Sequence, residues 1–126
     1  VVNIMRDVQE DALCDRIYLP ADEMATCGVT EADILADRMT PEMLGLMRLQ
    51  GDRARDYFAR GERLIPLLDL RARMCVSMLA ALYGDILVRI TDGGYDYTRG
   101  RISLSGRRKM FLMARSIGRA FTARRR

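Results

Sequence analysis

The sequence of 126 residues has no histidine. This absence excludes Ser-His catalytic triads, acid-base catalysis by histidine and most zinc sites within the chain. Its three cysteines, Cys14, Cys27 and Cys75, are widely spaced and form no Cys-x-x-Cys pair. We therefore predict reduced thiols in a cytoplasmic protein. No uninterrupted apolar run has the length of a membrane span, and no signal-peptide pattern is visible.

Proline, the residue that breaks helices most strongly, is also scarce. The chain has only 3 prolines, whereas apolar residues make up 49% of it and include many leucines, alanines and methionines. Such a composition favours a helical domain with a core of its own over a disordered tail. At this length we expect one domain, and the sequence contains no internal repeat or low-complexity linker. The prediction is an all-α fold.

Caps and breakers predict where the helices lie. A first helix runs to about residue 14, before the sequence DRIYLP, and two short helices follow on either side of Gly28. Thr40 followed by Pro41 is typical of a helix start. The long helix that follows should kink or stop at Pro66. We expect a second long helix over residues 70–90 and a last one from about Ser105. The segment between these two helices is irregular, and its sequence RISLS is at most a weak strand signal.

Charge is unevenly distributed along the chain. The net charge is +4, but the segment from Arg99 to Arg126 holds ten basic residues and no acid, so the rest carries eleven basic and seventeen acidic residues. A basic tail on an acidic body attracts nucleic acid, an anionic membrane or a diphosphate. An ordinary solvated C-terminal helix is the alternative interpretation, because positive charge also suits that end of a helix.

Five polar side chains gather on one side of the predicted first helix. Asn3, Asp7 and Asp11 lie at i, i+4 and i+8, and we call these three residues the acid ladder. They are flanked by Arg6 and Glu10, with apolar residues opposite. At 1.5 Å per residue the three span about 12 Å along the axis. Acids at this spacing repel each other unless a cation lies between them. Oxygen ligands without histidine or thiol partners suit Mg²⁺.

The alternative is an amphipathic helix whose polar face is simply solvated, as most charged faces are. The sequence TEADILADR repeats the spacing, with Asp33 and Asp37 four residues apart. This second pair has no asparagine in line with its two acids. Thr30 with Asp33 also resembles a capping box. We interpret this second pair as part of a surface helix.

The sequence NIMRDVQED, followed by RIYLP, resembles the second aspartate-rich signature of the squalene/phytoene synthases. Downstream, ADRMTPEMLGLMRLQGDRARDYF and ALYGDIL through RISLSGRRKM resemble later parts of the same family. The resemblance covers nearly the whole chain and implies the C-terminal half of an isoprenoid-synthase-type helical bundle. The family's first aspartate-rich motif is absent. We therefore expect that upstream sequence is missing and that this piece alone is inactive.

The resemblance also implies roles for individual residues. Asn3, Asp7 and Asp11 would carry Mg²⁺, or Mn²⁺ in its place, bound to a prenyl diphosphate, and Glu10 would support them. Four further residues would lie at the diphosphate: Arg6, Tyr18, Tyr83 and Arg101. One departure concerns the position before RIYLP, where the family usually has a small residue and this chain has Asp15.

The implied reaction is head-to-head condensation of two prenyl diphosphates through a cyclopropylcarbinyl diphosphate. Within the family the sequence looks closest to phytoene synthases, which would use geranylgeranyl diphosphate. The alternative is a squalene or presqualene diphosphate synthase that uses farnesyl diphosphate, with NADPH needed only where squalene forms. An alternative of another class is a non-catalytic helical scaffold protein. In such a relative, sequence drift would erase the acid ladder, which is intact in this chain.

Two further expectations concern the surface and the interior. No basic patch regularly interleaved with aromatic residues supports RNA binding, which argues against nucleic acid as a partner. Peripheral membrane contact through the segment from Arg99 to Arg126, by contrast, fits lipophilic substrates. Methionines at helical spacing are interpreted as core more readily than as channel lining. The residues in question are Met43, Met47, Met74 and Met78, with Leu82 beside them.

Overall fold

The computed structural model describes residues 1–122, with side chains as far as Ala120. Within these residues the chain forms seven α-helices and two 3₁₀ turns but no strand, so the all-α prediction is confirmed. The helices are α1 (Val2–Arg6), α2 (Val8–Leu13), α3 (Ala21–Cys27), α4 (Glu31–Leu35), α5 (Pro41–Leu64), α6 (Leu70–Asp92) and α7 (Gly106–Thr122). The 3₁₀ turns are Ile65–Leu67 and Tyr97–Arg99. The sequence RISLS is an extended link rather than a strand.

Helix α5 begins as its cap residues predict. The Thr40 hydroxyl accepts a hydrogen bond from the Met43 backbone N–H at 3.1 Å, and Pro41 occupies the first helical position. Proline fits there because its missing N–H would have had no partner within the helix. The helix ends where Pro66 enters the 3₁₀ turn. The result is a 24-residue helix that forms one side of the bundle.

Helices α6 and α7 pack closely against each other, and α6 also contacts α1 and α5. The Asp69 carboxylate caps α6 by accepting from the Ala72 N–H at 3.1 Å. Among the described residues, α6 is the one helix long and apolar enough to cross a membrane by length and composition. This differs from the sequence prediction of no span, because dispersed charges interrupt the apolar run without lowering its average much. Core helices of soluble proteins meet the same criterion.

Methionine and leucine side chains fill the centre of the bundle. The largest fully buried ones are Met5, Met43, Leu46 and Met47. The interpretation of the methionines as core is thus confirmed for Met43 and Met47, which are completely enclosed. Burial of such a side chain contributes about 1.5–3 kcal/mol. Because Met5 belongs to α1, this core fixes the helix that carries Asn3, the first residue of the acid ladder.

The predicted first helix is two helices, α1 and α2, separated at Asp7. The backbone there departs from helical geometry, with φ −107° and ψ 15°. Hydrogen bonds still run from the Asp7 N–H to the Asn3 carbonyl at 2.9 Å and from the Asp11 N–H to the Asp7 carbonyl at 2.8 Å. Aspartate is among the residues that favour helix ends and turns over helix interiors. The ladder positions therefore stay in sequence along one helical path.

The end of α2 accounts for the unusual Asp15. Asp15 adopts the left-handed conformation, with φ +57°, and the next N–H, that of Arg16, bonds the Asp11 carbonyl at 2.9 Å. Glycine suits a left-handed position best because it has no Cβ, and aspartate is one of the few other residues that accept it readily. This substitution therefore preserves the helix end that leads into RIYLP.

Two glycines of α5 give a matched test of packing. A Cβ at Gly51 would lie 2.6 Å from Cε1 of the Tyr95 ring, whereas a Cβ at Gly45 meets nothing within 4 Å. We expect Gly51→Ala to lower the free energy of unfolding by about 1–3 kcal/mol through overpacking. Gly45→Ala should raise it by about 0.5–1 kcal/mol because alanine favours the helix. Urea denaturation of the intact protein measures both, and the same sign for the two variants would contradict this packing.

Candidate active site

An ion-paired cluster forms around Asp7. The Arg6 guanidinium binds both carboxylate oxygens, with Nε 2.7 Å from Oδ1 and Nη2 2.6 Å from Oδ2. Arg101, from the link before α7, reaches the same carboxylate at 3.1 Å and Oε2 of Glu10 at 3.3 Å. The structure thus brings four predicted site residues into direct contact, from two segments more than 90 positions apart in the chain.

The two arginines keep Asp7 ionised. The hydrogen bond from Arg6 holds the pKa of the Asp7 carboxyl below its ordinary value of 3.8, and the charges of Arg6 and Arg101 act in the same direction. Partial burial opposes this effect but does not reverse it. The same hydrogen bond raises the pKa of the Arg6 guanidinium. Two-point binding of a carboxylate by arginine gives both strength and a fixed orientation.

A cation-rich hollow of about 380 Å³ lies beside this cluster. Its polar side chains are those of Arg6, Tyr83, Arg101, Ser103 and Lys109. Its apolar wall is formed by Leu79, Leu82, Ile86, Ile102 and Leu104. Guanidinium and ammonium groups over an apolar wall can bind a phosphate group attached to a hydrocarbon chain.

An open apolar groove of about 400 Å³ lies between α1, α5 and α6. It shares Leu79 and Tyr83 with the cation-rich hollow, so the two adjoin. Asn3 lies at its α1 side, and aromatic and aliphatic side chains such as Phe58 and Val76 line the rest. Tyr83 therefore stands between a charged region and an apolar one, with its ring partly buried.

Two predicted site residues lie elsewhere. Asp11 and Tyr18 line a separate small hollow of about 10 Å³, together with Arg16. The Tyr18 side chain is 52% exposed. Asp11 lies in α2 and Tyr18 in the loop between α2 and α3. Neither lines the hollow or the groove beside Tyr83.

The oxygen donors of the ladder suit Mg²⁺ in type. Asn3, Asp7 and Asp11 offer amide and carboxylate oxygens, and the backbone keeps their order along one path. Within residues 1–122 no three acidic, cysteine or histidine side chains converge on one point. Magnesium commonly takes only one or two carboxylates and completes its shell with water and phosphate oxygens. The donors therefore suit Mg²⁺ in type, whereas the described residues do not by themselves assemble a metal site.

The second pair of acids with the same spacing has a structural role. Asp33 forms the predicted capping box with Thr30 and also pairs with Arg38 at 2.6 Å. Asp37 accepts a hydrogen bond from Gln9 at 2.7 Å, which ties α4 to α2. Both acids are half-buried rather than on the surface, because each is held by a polar partner, Asp33 by Thr30 and Arg38 and Asp37 by Gln9. Neither carboxylate lines the hollow or the groove beside Tyr83.

One lysine of the site was not assigned from the sequence. Lys109 lines the same hollow as Arg6 and Arg101. The sequence did contain a signal for Lys109, because this residue lies in RISLSGRRKM, which resembles the last part of the family's sequence. A lysine in a run of three basic residues looks like an ordinary surface residue until the fold places it.

The Asp7 pair predicts how stability depends on pH. Folding lowers the pKa of Asp7. Its carboxylate therefore stabilises the protein fully at pH values above the ordinary pKa of 3.8 and loses this effect as pH falls through the lowered pKa. We expect Asp7→Asn to lower the free energy of unfolding by about 1 kcal/mol at neutral pH. This difference should shrink below about pH 4, where the wild-type carboxylate takes up its proton.

Urea denaturation of the intact protein between neutral pH and pH 3 measures this difference. Asp52→Asn is the control, because Asp52 is 70% exposed in its pair with Arg55, and exposed pairs contribute little. A difference between Asp7→Asn and wild type that stays constant with pH would contradict the assignment.

Comparison with known proteins identifies the class to which this arrangement belongs. The family described as Squalene/phytoene synthase matches residues 1–108. The chain belongs to this family.

The similar curated proteins come from plants and bacteria. A phytoene synthase described as chloroplastic from Cucumis melo is 38% identical over 118 residues, which are 94% of this chain and 28% of that protein. The phytoene synthase of Mycobacterium tuberculosis is 37% identical, over 95% of this chain and 41% of its own length. A 15-cis-phytoene synthase of Synechococcus elongatus is 40% identical over 87% and 36%. The chain thus spans less than half the length of these relatives.

Proposed function

We propose that the intact protein is a prenyltransferase that joins two prenyl diphosphates head to head, with geranylgeranyl diphosphate as substrate and phytoene as product. The observation that carries this proposal is the contact between the cation-rich hollow and the apolar groove at Tyr83. A prenyl diphosphate has the same two parts, a charged head and a hydrocarbon tail. Relatives named phytoene synthase support the choice of product.

The basic residues of the hollow would hold the diphosphate. Arg6 and Arg101 present guanidinium groups suited to phosphate oxygens, and Lys109 adds a third positive charge. The Tyr83 hydroxyl is a neutral donor at the boundary between head and tail. Glu10 would orient Arg101 through their ion pair, and Tyr18 would approach from the loop before α3.

Asn3, Asp7 and Asp11 would hold Mg²⁺, with Mn²⁺ as a substitute. The metal would supply Lewis-acid stabilisation of the departing diphosphate. Arg6 and Arg101 now neutralise Asp7. A bound diphosphate gives both arginines another anionic partner, and this frees carboxylate oxygens of Asp7. The chain's own ion pairs therefore hold the acid in place and ionised before substrate arrives.

The apolar groove would protect reactive carbocations of the substrate from water. Loss of the first diphosphate lets C1 of one chain attach to the double bond of the other, and loss of a proton leaves a cyclopropylcarbinyl diphosphate. Loss of the second diphosphate, rearrangement and loss of another proton give phytoene without a reductant. Squalene formation requires a hydride from NADPH instead of the second proton loss.

Product analysis tests this proposal. The intact protein is supplied with Mg²⁺ and either geranylgeranyl or farnesyl diphosphate, with and without NADPH, and hydrocarbons are identified by chromatography and mass spectrometry. We expect phytoene from geranylgeranyl diphosphate. A preference for farnesyl diphosphate would instead support the alternative function, that of a squalene or presqualene diphosphate synthase. A folded protein that consumes neither substrate would support the non-catalytic scaffold and overturn the proposal.

A cytoplasmic location is part of the proposal. The three cysteines are free in the structure, which suits a reducing compartment. Among the relatives, some are described as chloroplastic and others come from bacteria. Fractionation of cells that express the intact protein, with immunodetection, tests the location.

A further inference from the structure

The link between α6 and α7 carries Arg101 to the ion-paired cluster around Asp7. Arg101 belongs to no helix, and its side chain is 49% exposed. An exposed arginine on an irregular segment can adopt many backbone and side-chain conformations, and ordering it costs entropy. Its ion pairs therefore depend on what fixes the backbone of the link.

Tyr97, four residues before Arg101, anchors the link in the interior. It is buried in the same core as Met5 of α1. Its hydroxyl donates to the Arg38 carbonyl at 3.2 Å. Burial raises the pKa of Tyr97 to about 12, so the hydroxyl keeps its proton and stays a donor at neutral pH. The link is thus fastened at its 3₁₀ turn.

The carbonyl that Tyr97 binds is itself held in place by the second pair of acids. The Asp33 carboxylate pairs with the Arg38 guanidinium at 2.6 Å, and the Asp33 carbonyl accepts from the Arg38 N–H at 3.1 Å. Asp37 accepts a hydrogen bond from Gln9 of α2 at 2.7 Å. The hydroxyl and the ion-paired cluster are therefore joined through one helix, since α2 also carries part of that cluster.

Gly100 gives the link its direction immediately before Arg101. Its backbone has φ +90° and ψ 171°, a combination that is essentially restricted to glycine. A Cβ at this position would meet nothing within 4 Å, so the backbone angles require the glycine, whereas the available space does not. Gly100 and Tyr97 also line a small hollow of about 10 Å³ together with Arg6. The link thus packs beside the other arginine of the cluster.

We infer that Tyr97 is a positioning residue for Arg101. The hydrogen bond of its hydroxyl to a fixed carbonyl, followed by the turn at Gly100, places the Arg101 guanidinium in the ion-paired cluster. Tyr97 does not line the cation-rich hollow, so it acts through the backbone of the link. The inference concerns the free protein, and it rests on the proposed function only in the expectation that a displaced Arg101 weakens diphosphate binding.

Tyr97→Phe tests the inference because phenylalanine keeps the ring and removes only the hydroxyl. The first measurement is NMR of the Arg101 side-chain Nε–H in the intact protein without metal or diphosphate, assigned by loss of the signal in Arg101→Lys. This N–H lies in the ion pair with Asp7 at 3.1 Å and should be protected from exchange with water. We expect exchange about three- to tenfold faster in Tyr97→Phe and in Gly100→Ala.

Binding of inorganic diphosphate with Mg²⁺, followed by isothermal titration calorimetry, measures the consequence for the site. We expect Tyr97→Phe to weaken it about three- to tenfold. In an Arg101→Gln background the same change should have no further effect, within about twofold, because the residue that Tyr97 positions is already removed. A role in the core alone would weaken binding by the same factor in both backgrounds.

Tyr95→Phe is the matched control. Tyr95 belongs to the same link, but its hydroxyl accepts from the exposed Arg55 guanidinium at 3.1 Å. Both measurements should stay within about twofold of wild type.

Unchanged exchange of the Arg101 Nε–H in both Tyr97→Phe and Gly100→Ala would overturn the inference. So would an equal effect of Tyr97→Phe on binding with and without Arg101, or an equal effect of the control. A wild-type protein that binds no diphosphate would contradict the proposed function instead, and the exchange measurement would then decide the inference by itself.

Discussion

Replacing Asp7 with asparagine should lower kcat/KM of the intact protein by roughly 100-fold or more. Asparagine keeps the size of the side chain but removes the charge that pairs with Arg6 and Arg101. In our proposal the same charge binds Mg²⁺ with the substrate diphosphate. Steady-state assays with geranylgeranyl diphosphate measure the loss. Circular dichroism should show an unchanged fold, because the expected change in stability is only about 1 kcal/mol.

The control for this variant is Asp33→Asn. Asp33 belongs to the other pair of acids with the same spacing, and asparagine can still cap α4. We expect its kcat/KM to stay within about twofold of wild type, because Asp33 does not line the hollow or the groove beside Tyr83. Equal losses in both variants would mean that Asp7 has no special role.

Replacing Arg73 with methionine should lower the free energy of unfolding by about 1–3 kcal/mol. Arg73 is buried in α6, and its guanidinium donates to the carbonyls of Pro66, Leu68 and Ala120 at 3.1, 2.9 and 3.4 Å. It thus ties the turn after α5 to the end of α7. Methionine has similar length but no donors, so three carbonyl groups lose their partner. Thermal and urea denaturation of the intact protein measure the change.

Arg71→Met, two residues earlier on the same helix, is the matched control. Arg71 is exposed, so its replacement should change stability by less than about 0.5 kcal/mol. If the two variants are equally stable, the hydrogen bonds from Arg73 to the three carbonyls contribute nothing to stability. That result would contradict the claim that Arg73 holds the turn after α5 and the end of α7 to α6.

Local signals predicted the helices well because their physical causes are local. Thr40 and Pro41 start α5, and the capping box of Thr30 and Asp33 starts α4, through contacts within four residues. Composition alone was enough for the all-α class. The break at Asp7 was not predictable from spacing, since it depends on a backbone angle that the pattern of apolar residues does not record.

Long-range contacts were beyond the sequence pattern. Arg101 was assigned to the site by resemblance, but its ion pairs with Asp7 and Glu10 depend on how the link after α6 returns to α2. The burial of Arg73 was also invisible, because arginine is usually exposed. The basic segment from Arg99 to Arg126 was predicted from charge alone. Its last four residues, 123–126, lie outside the part of the chain that the structure describes.

Binding of inorganic diphosphate to the intact protein most directly tests the central claim that the Asp7 cluster and the hollow beside it form a metal and diphosphate site. Isothermal titration calorimetry with and without Mg²⁺ measures it in the absence of catalysis. We predict binding that requires Mg²⁺ and that weakens at least about tenfold in Asp7→Asn with Asp11→Asn. Binding of equal strength without Mg²⁺, unchanged in that double variant, would contradict the account.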